Sequence, residues 1–147
     1  MSGPWQAKVD RVLDASVDEV WEAWTDASLL ADWIAAPGCR VEADVRVGGT
    51  FRFDMGCEGA PPVPHTGRYV VLERPRRIEF TWVSPWTEGE SLVRIELEPV
   101  GAKTRFRLVH EGLPDEANAK DHEAGWNEFA LAAAARASKG GRHAGAS

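Results

Sequence analysis

Cysteine is scarce in this sequence: Cys39 and Cys57 are the only two among 147 residues. Two thiols cannot build the dense disulfide framework of a small secreted domain. Reduced thiols are the expected state, with a single bridge between them as the alternative. Neither a CxxC nor an HExxH spacing occurs, so no zinc site is predicted. Long apolar runs are also missing; none approaches the roughly 18 residues needed to span a bilayer. The opening Met-Ser-Gly-Pro-Trp has no charged start followed by an apolar stretch. No secretory signal is read there, and the cytoplasm is the expected compartment. Positive charge is in deficit, with 17 Lys and Arg against 23 Asp and Glu and a net charge of -6. That balance excludes the broad cationic surface of a non-specific nucleic-acid binder. Glycine-rich nucleotide loops and a GxSxG nucleophile elbow are absent as well.

What is present reads as one globular domain. Hydrophobic residues make up 44% and charged residues 27% of the chain. A chain of this length buries roughly 70% of its unfolded surface. Trp5 to Leu13 alternates as an opening strand. Ser16-Val17-Asp18-Glu19 has the capping-box form, and Val17, Val20, Trp21 and Trp24 follow at helical spacing. Ser28 to Ile34 predicts a second short helix, stopped by Pro37-Gly38. The period then changes to two. Strands are predicted over Val41 to Val47, Thr50 to Met55, Gly67 to Glu73, Ile78 to Trp82, Val93 to Leu97 and Arg105 to His110. One apolar face is shared by Phe51, Phe53, Ile78, Phe80, Val93, Ile95, Phe106 and Leu108. A long helix from about Pro114 to Ala137 carries Ala119, His122, Trp126, Phe129, Ala130 and Ala133 on one stripe. Residues 138–147 are expected to be a disordered tail, leaving 1–137 as the domain.

Several segments resemble the START-like, or SRPBCC, superfamily. Ala15, Val20-Trp21, Ala23 and Thr25-Asp26 look like its Ala-x-x-x-x-Val-Trp-x-Ala-x-Thr-Asp opening. Val47 to Phe53 is similar to its Val-Gly-Gly-x-Phe-x-Phe strand. Pro75 to Trp82 resembles its Pro-x-x-Leu-x-Phe-Thr-Trp, with Ile78 for Leu. His110-Glu111-Gly112 and Gly125-Trp126 resemble its last motifs. The match is to the AHSA-like branch, named after activators of a heat-shock chaperone ATPase. It implies an α+β helix-grip fold: six or seven antiparallel strands wrapped around a long C-terminal helix, with two short helices after the first strand. The superfamily implies lipid carriers, hormone receptors, polyketide cyclases, resistance proteins and co-chaperone domains, the last with a stress-response setting. Fold does not choose among them.

The leading expectation is a cytoplasmic binding module for a small hydrophobic molecule, aromatic or acyl, held between sheet and helix. A polyketide cyclase or hydrolase using the same cavity and a co-chaperone-like interaction domain are the alternatives. A homodimer is compatible with any of these; nucleic acid, membrane, metal and cofactor are not expected. Trp21 and Trp24 are read as core. Trp33, Trp82 and Trp126 are read as cavity lining, with Phe51, Phe53, Met55 and Phe129 beside them. His110 falls on the apolar face, as a hydrogen-bonded core group or a pocket residue, and His122 lies one turn before Trp126. Arg68 either turns inward to meet a ligand carboxylate or phenolate or snorkels to the rim. No catalytic residue is assigned. Trp86 is a lid or simply exposed, and His65 and His143 receive no role. The alanines after Phe129 either let the last helix approach the sheet or leave space beneath it.

Overall fold

Ser16 starts the first helix as its context predicts. Its side chain accepts from the Glu19 N–H at 3.2 Å while the Glu19 carboxylate accepts from the Ser16 N–H at 2.9 Å. The computed structural model describes residues 4–34, 39–55, 61–87 and 89–146, with side chains described as far as Ala137. In chain order the elements are β1 (Trp5–Leu13), α1 (Val17–Thr25), α2 (Ala27–Trp33), β2 (Val41–Ala43) and β3 (Thr50–Met55). They continue with β4 (Val63–Glu73), β5 (Arg77–Trp82), β6 (Ser91–Val100), β7 (Lys103–Leu113) and α3 (Glu116–Ala146). Seven strands form one antiparallel sheet in the order β1-β7-β6-β5-β4-β3-β2. This is the expected helix-grip arrangement: the first and last long strands pair, and α3 crosses the inner face against β1, α1 and α2. No helix among the described residues is long and apolar enough to cross a membrane.

The eight residues expected to share a face do so, each at most 5% exposed. Pairing sets Phe80 opposite Val93, Ile78 opposite Ile95 and Ile95 opposite Leu108. A one-residue slip would turn all of them outward. Phe80 meets Phe51 edge-on at 5.5 Å and lies 6.2 Å from Trp126. Phe80→Ala is therefore expected to lose about 3–5 kcal/mol of stability. Urea unfolding checks it; a loss below about 1 kcal/mol would show that the ring does not carry the core.

The alanine stripe brings α3 close. Ala119, Ala130, Ala133, Ala134 and Ala137 are buried, and the space enclosed among Trp24, Phe51, Phe80, Trp82 and Trp126 is only about 10 Å³. That is too little for an organic ligand and about the size of one water. Lys8 N–H donates to Glu123, Arg11 to Asn127 and Arg136 to Asp32, tying α3 to β1 and α2. The Trp24 indole N–H is buried there with no acceptor among the described residues, at a cost of about 1–3 kcal/mol.

Boundaries at β2, β4 and α3 differ from the sequence reading in ways that have a consequence. β2 ends at Ala43 rather than Val47, because Asp44 N–H bonds Thr50 O and Gly49 N–H bonds Arg46 O, closing a turn early. β4 begins at Val63 rather than Gly67. Along that stretch it pairs with β3, plus a single bridge from Thr66 to Val83, and a proline at 64 is tolerated where the ladder is incomplete. α3 starts at Glu116 and continues past Ala137 to Ala146, through a stretch whose three glycines are poor helix formers. Cys39 is disulfide-bonded, not reduced. Its partner lies outside the described residues. Antiparallel pairing sets Val41, two residues after Cys39, opposite Phe53. No sequence spacing announces that proximity.

Candidate functional site

His110 on β7 is fully buried, behind Trp126 of α3. The Trp126 indole N–H donates to His110 Nδ1 at 3.0 Å. An indole nitrogen only donates, so Nδ1 holds the lone pair and the imidazole proton sits on Nε2. Nε2–H donates to Ser91 Oγ at 2.7 Å, and the Ser91 hydroxyl donates to the Trp82 carbonyl at 2.7 Å. Every polar atom in this chain is satisfied in one direction. Burial, followed by the neighbouring His122, pushes the His110 pKa down to about 3. His110 is thus a neutral, fully engaged core group with no free lone pair for a substrate.

The open space lies on the other side of Trp126. A cavity of about 560 Å³ opens at the N-terminal end of α3. Trp82 from β5, Met55 from β3, and Trp126 and Phe129 from α3 form its apolar wall. Trp82 and Trp126 meet edge-on at 4.9 Å, and Phe129 stands 5.7 Å from Trp126. His65 of β4 and half-exposed Trp86 close one side, their rings 5.8 Å apart. Asp115, Ala117, Asn118, Asp121, His122 and Gly125 supply the rim along the first turns of α3. A side chain begun at Gly125 would meet nothing within 4 Å, so this glycine holds part of the opening clear.

Both cavity histidines are oriented from behind. His65 Nδ1 lies 3.1 Å from Val63 O, and His122 Nδ1 lies 2.8 Å from Asn118 O. A carbonyl oxygen only accepts, so each Nδ1 carries a proton and Nε2 is the acceptor of the neutral ring. Burial lowers the His65 pKa, with partial opposition from the Val63 and Phe53 carbonyls. Among the described residues no group of three metal-ligating side chains occurs.

The structure brings Met55, Trp82, His122, Trp126 and Phe129 together around this cavity. Trp33, Phe51 and Phe53 lie instead in the packed interior. Trp33 donates its indole N–H to Ala23 O at 2.8 Å and stands against Trp24, while Phe51 and Phe53 stack at 4.7 Å. Arg68 corrects the sequence reading: it lies on the outer face, paired with Glu90 at 3.2 Å. The error has a local cause. A register irregularity between Tyr69 and Val71 shifts the strand phase, so counting back from inward Leu72 assigns the wrong parity. Before the irregularity His65, Gly67 and Tyr69 form the inward set. Gly67 is required there, because a Cβ would stand 1.9 Å from Thr81 O and 2.5 Å from the Phe51 ring. Sequence reasoning therefore missed His65, whose shared parity with Tyr69 was the available signal. It also missed Asp115, Asn118 and Asp121, whose helical spacing with His122, Gly125 and Phe129 was visible.

A family model described as Activator of Hsp90 ATPase homolog 1-like protein matches residues 14–133. No curated protein matches the chain. Protein CV1439 from Chromobacterium violaceum is 29% identical, with a TM-score of 0.77 over 88% of this chain and 94% of that one. Mll3558 from Rhizobium loti is 26% identical, with a TM-score of 0.78 over 90% and 96%. PFC0360w from Plasmodium falciparum, an HSP90 activator, shares the fold at 22% identity and a TM-score of 0.67 over 82% and 86%.

Proposed function

Because the chain belongs to the Activator of Hsp90 ATPase homolog 1-like family, whose domain plan it keeps, we propose that it binds a small hydrophobic molecule in the cavity at the head of α3. The observation that carries this reading is the cavity itself: about 560 Å³, walled by Met55, Trp82, Trp126 and Phe129. That size and apolar lining suit a small organic ligand. An acid–base enzyme using His110 is disfavoured, because both ring nitrogens are engaged away from the cavity. A protein-docking role lacks a continuous apolar surface among the described residues. Of the exposed large hydrophobics, Trp5 and Val12 lie towards opposite ends of β1, and Val70, Val100 and Leu131 lie on β4, β6 and α3. The Cys39 bridge fits an oxidising compartment better than the cytoplasm expected from the sequence.

Gly125 provides the test. N-phenyl-1-naphthylamine, a neutral aromatic probe whose emission rises in apolar surroundings, is expected to bind and to alter tryptophan emission. A Cβ at Gly125 meets nothing within 4 Å, so Gly125→Leu starts its side chain in open space and replaces a poor helix former, and its stability is expected to hold or rise. The probe should bind it at least about tenfold more weakly, a difference of about 1.4 kcal/mol. Absence of binding to the wild type, or equal binding to a normally folded Gly125→Leu, would sink the cavity reading.

A further inference from the structure

The formally charged groups around the cavity are of one sign. His65 is only 7% exposed, and its Nδ1–H is given to Val63 O. Nε2 is therefore the polar atom its ring can offer, and it is a hydrogen-bond acceptor. His122 in its neutral form repeats this arrangement through Asn118 O. Two carboxylates, Asp115 and Asp121, complete the charged part of the rim. No lysine or arginine lines the cavity among the described residues, and the internal segments 35–38, 56–60 and 88 contain none in sequence.

Asp115 and Asp121 are not equivalent. Asp115 accepts from the Asn118 N–H at 2.7 Å and caps α3, so it already satisfies the positive end of the helix that would otherwise attract an anion. Asp121 is exposed and makes no hydrogen bond or ion pair with the described residues. Its negative charge is uncompensated at the cavity mouth. The aromatic walls add to the same preference, because ring faces attract a cation. A ligand carboxylate could take hydrogen bonds from the Trp82 and Trp86 indoles or the Asn118 amide, but it would meet two carboxylates and no lysine or arginine among the described lining.

We infer that the cavity selects a cationic ligand, an apolar or aromatic amine whose ammonium N–H groups donate to the His65 and His122 Nε2 atoms and the Asp121 carboxylate. The apolar body lies against Trp82, Trp126 and Phe129. This rests on the cavity reading above and replaces the aromatic or acyl acid that an inward Arg68 would have suited.

Calorimetric titration with three molecules of nearly equal shape tests it: 1-naphthylmethylammonium, 1-naphthylmethanol and 1-naphthaleneacetate. At low ionic strength the ammonium is expected to bind tightest and the acetate weakest. Added salt should narrow the gap, since the rim charges are exposed to solvent. Asp121→Asn should weaken the ammonium by about two- to fivefold, the scale of an exposed ion pair, and leave the neutral alcohol unchanged. Acetate binding as tightly as the ammonium would overturn the ligand class while leaving the cavity reading intact. So would an ammonium preference that Asp121→Asn does not move. Failure of all three ligands, together with failure of the neutral naphthylamine probe, would overturn both.

Discussion

Trp126→Ala is expected to be the most damaging single truncation in this protein. The ring is 2% exposed and lies at the centre of an aromatic cluster. Its nearest partners are Trp82 at 4.9 Å, Phe129 at 5.7 Å, His110 at 5.8 Å and Phe80 at 6.2 Å. Removing a buried ring of this size costs about 3–5 kcal/mol. It also orphans His110 Nδ1, at a further cost of about 1–3 kcal/mol. Against a typical domain stability of about 5–15 kcal/mol, the variant should be largely destabilised at ambient temperature. Urea titration reads the loss, with the slope unchanged if only stability has moved. Trp126→Phe keeps a six-membered ring and loses the pyrrole part with its N–H donor, so a smaller loss than for Trp126→Ala is expected, at least the about 1–3 kcal/mol of the orphaned His110 acceptor. Near-wild-type stability for both variants would show that α3 does not anchor the sheet through this residue. The effect should not add to that of Phe80→Ala, because the rings pack against each other.

Acidification should unfold this protein through His110. In the folded chain the imidazole stays neutral down to about pH 3. In the unfolded chain it protonates at its ordinary value of about 6.5. Below that value the unfolded state takes up a proton that the folded state does not. Stability therefore falls as pH drops from about 6.5 towards 3, by about 1.4 kcal/mol per pH unit from this residue. His65, also lowered by burial, acts in the same direction. His110→Asn can keep an acceptor for the Trp126 N–H but is too short to reach Ser91, and should cost about 1–3 kcal/mol at pH 7. It removes the titration. The stability curves of variant and wild type should then cross between about pH 4 and 6. Parallel curves over that range would mean that His110 is not the titrating group.

The pattern of the chain was enough for the architecture. Alternation in Phe51-Phe53, Ile78-Phe80 and Val93-Ile95 predicts one buried face; Ile78 and Phe80 pair with Ile95 and Val93, and Phe51 and Phe53 are buried on the same face two strands away. Ser16 and Glu19 predict where α1 begins, because both halves of the capping box are local. Local chemistry and strict periodicity survive folding, so they can be read directly. The site was only half legible. Helical spacing placed His122, Trp126 and Phe129 on one stripe, and the cavity uses all three.

Arg68 and His65 exchanged roles because a bulge shifts the phase of β4, and pairing with β5 rather than residue type determines where that shift falls. The alanines of α3 left closeness and emptiness equally open. Packing against α1 and β1 closed the interior to about 10 Å³ and left the open space at the helix head, beside Gly125. Each of these outcomes depends on distances between segments far apart in the chain. Periodicity determines which face a side chain takes; only tertiary packing determines how near the opposite face comes.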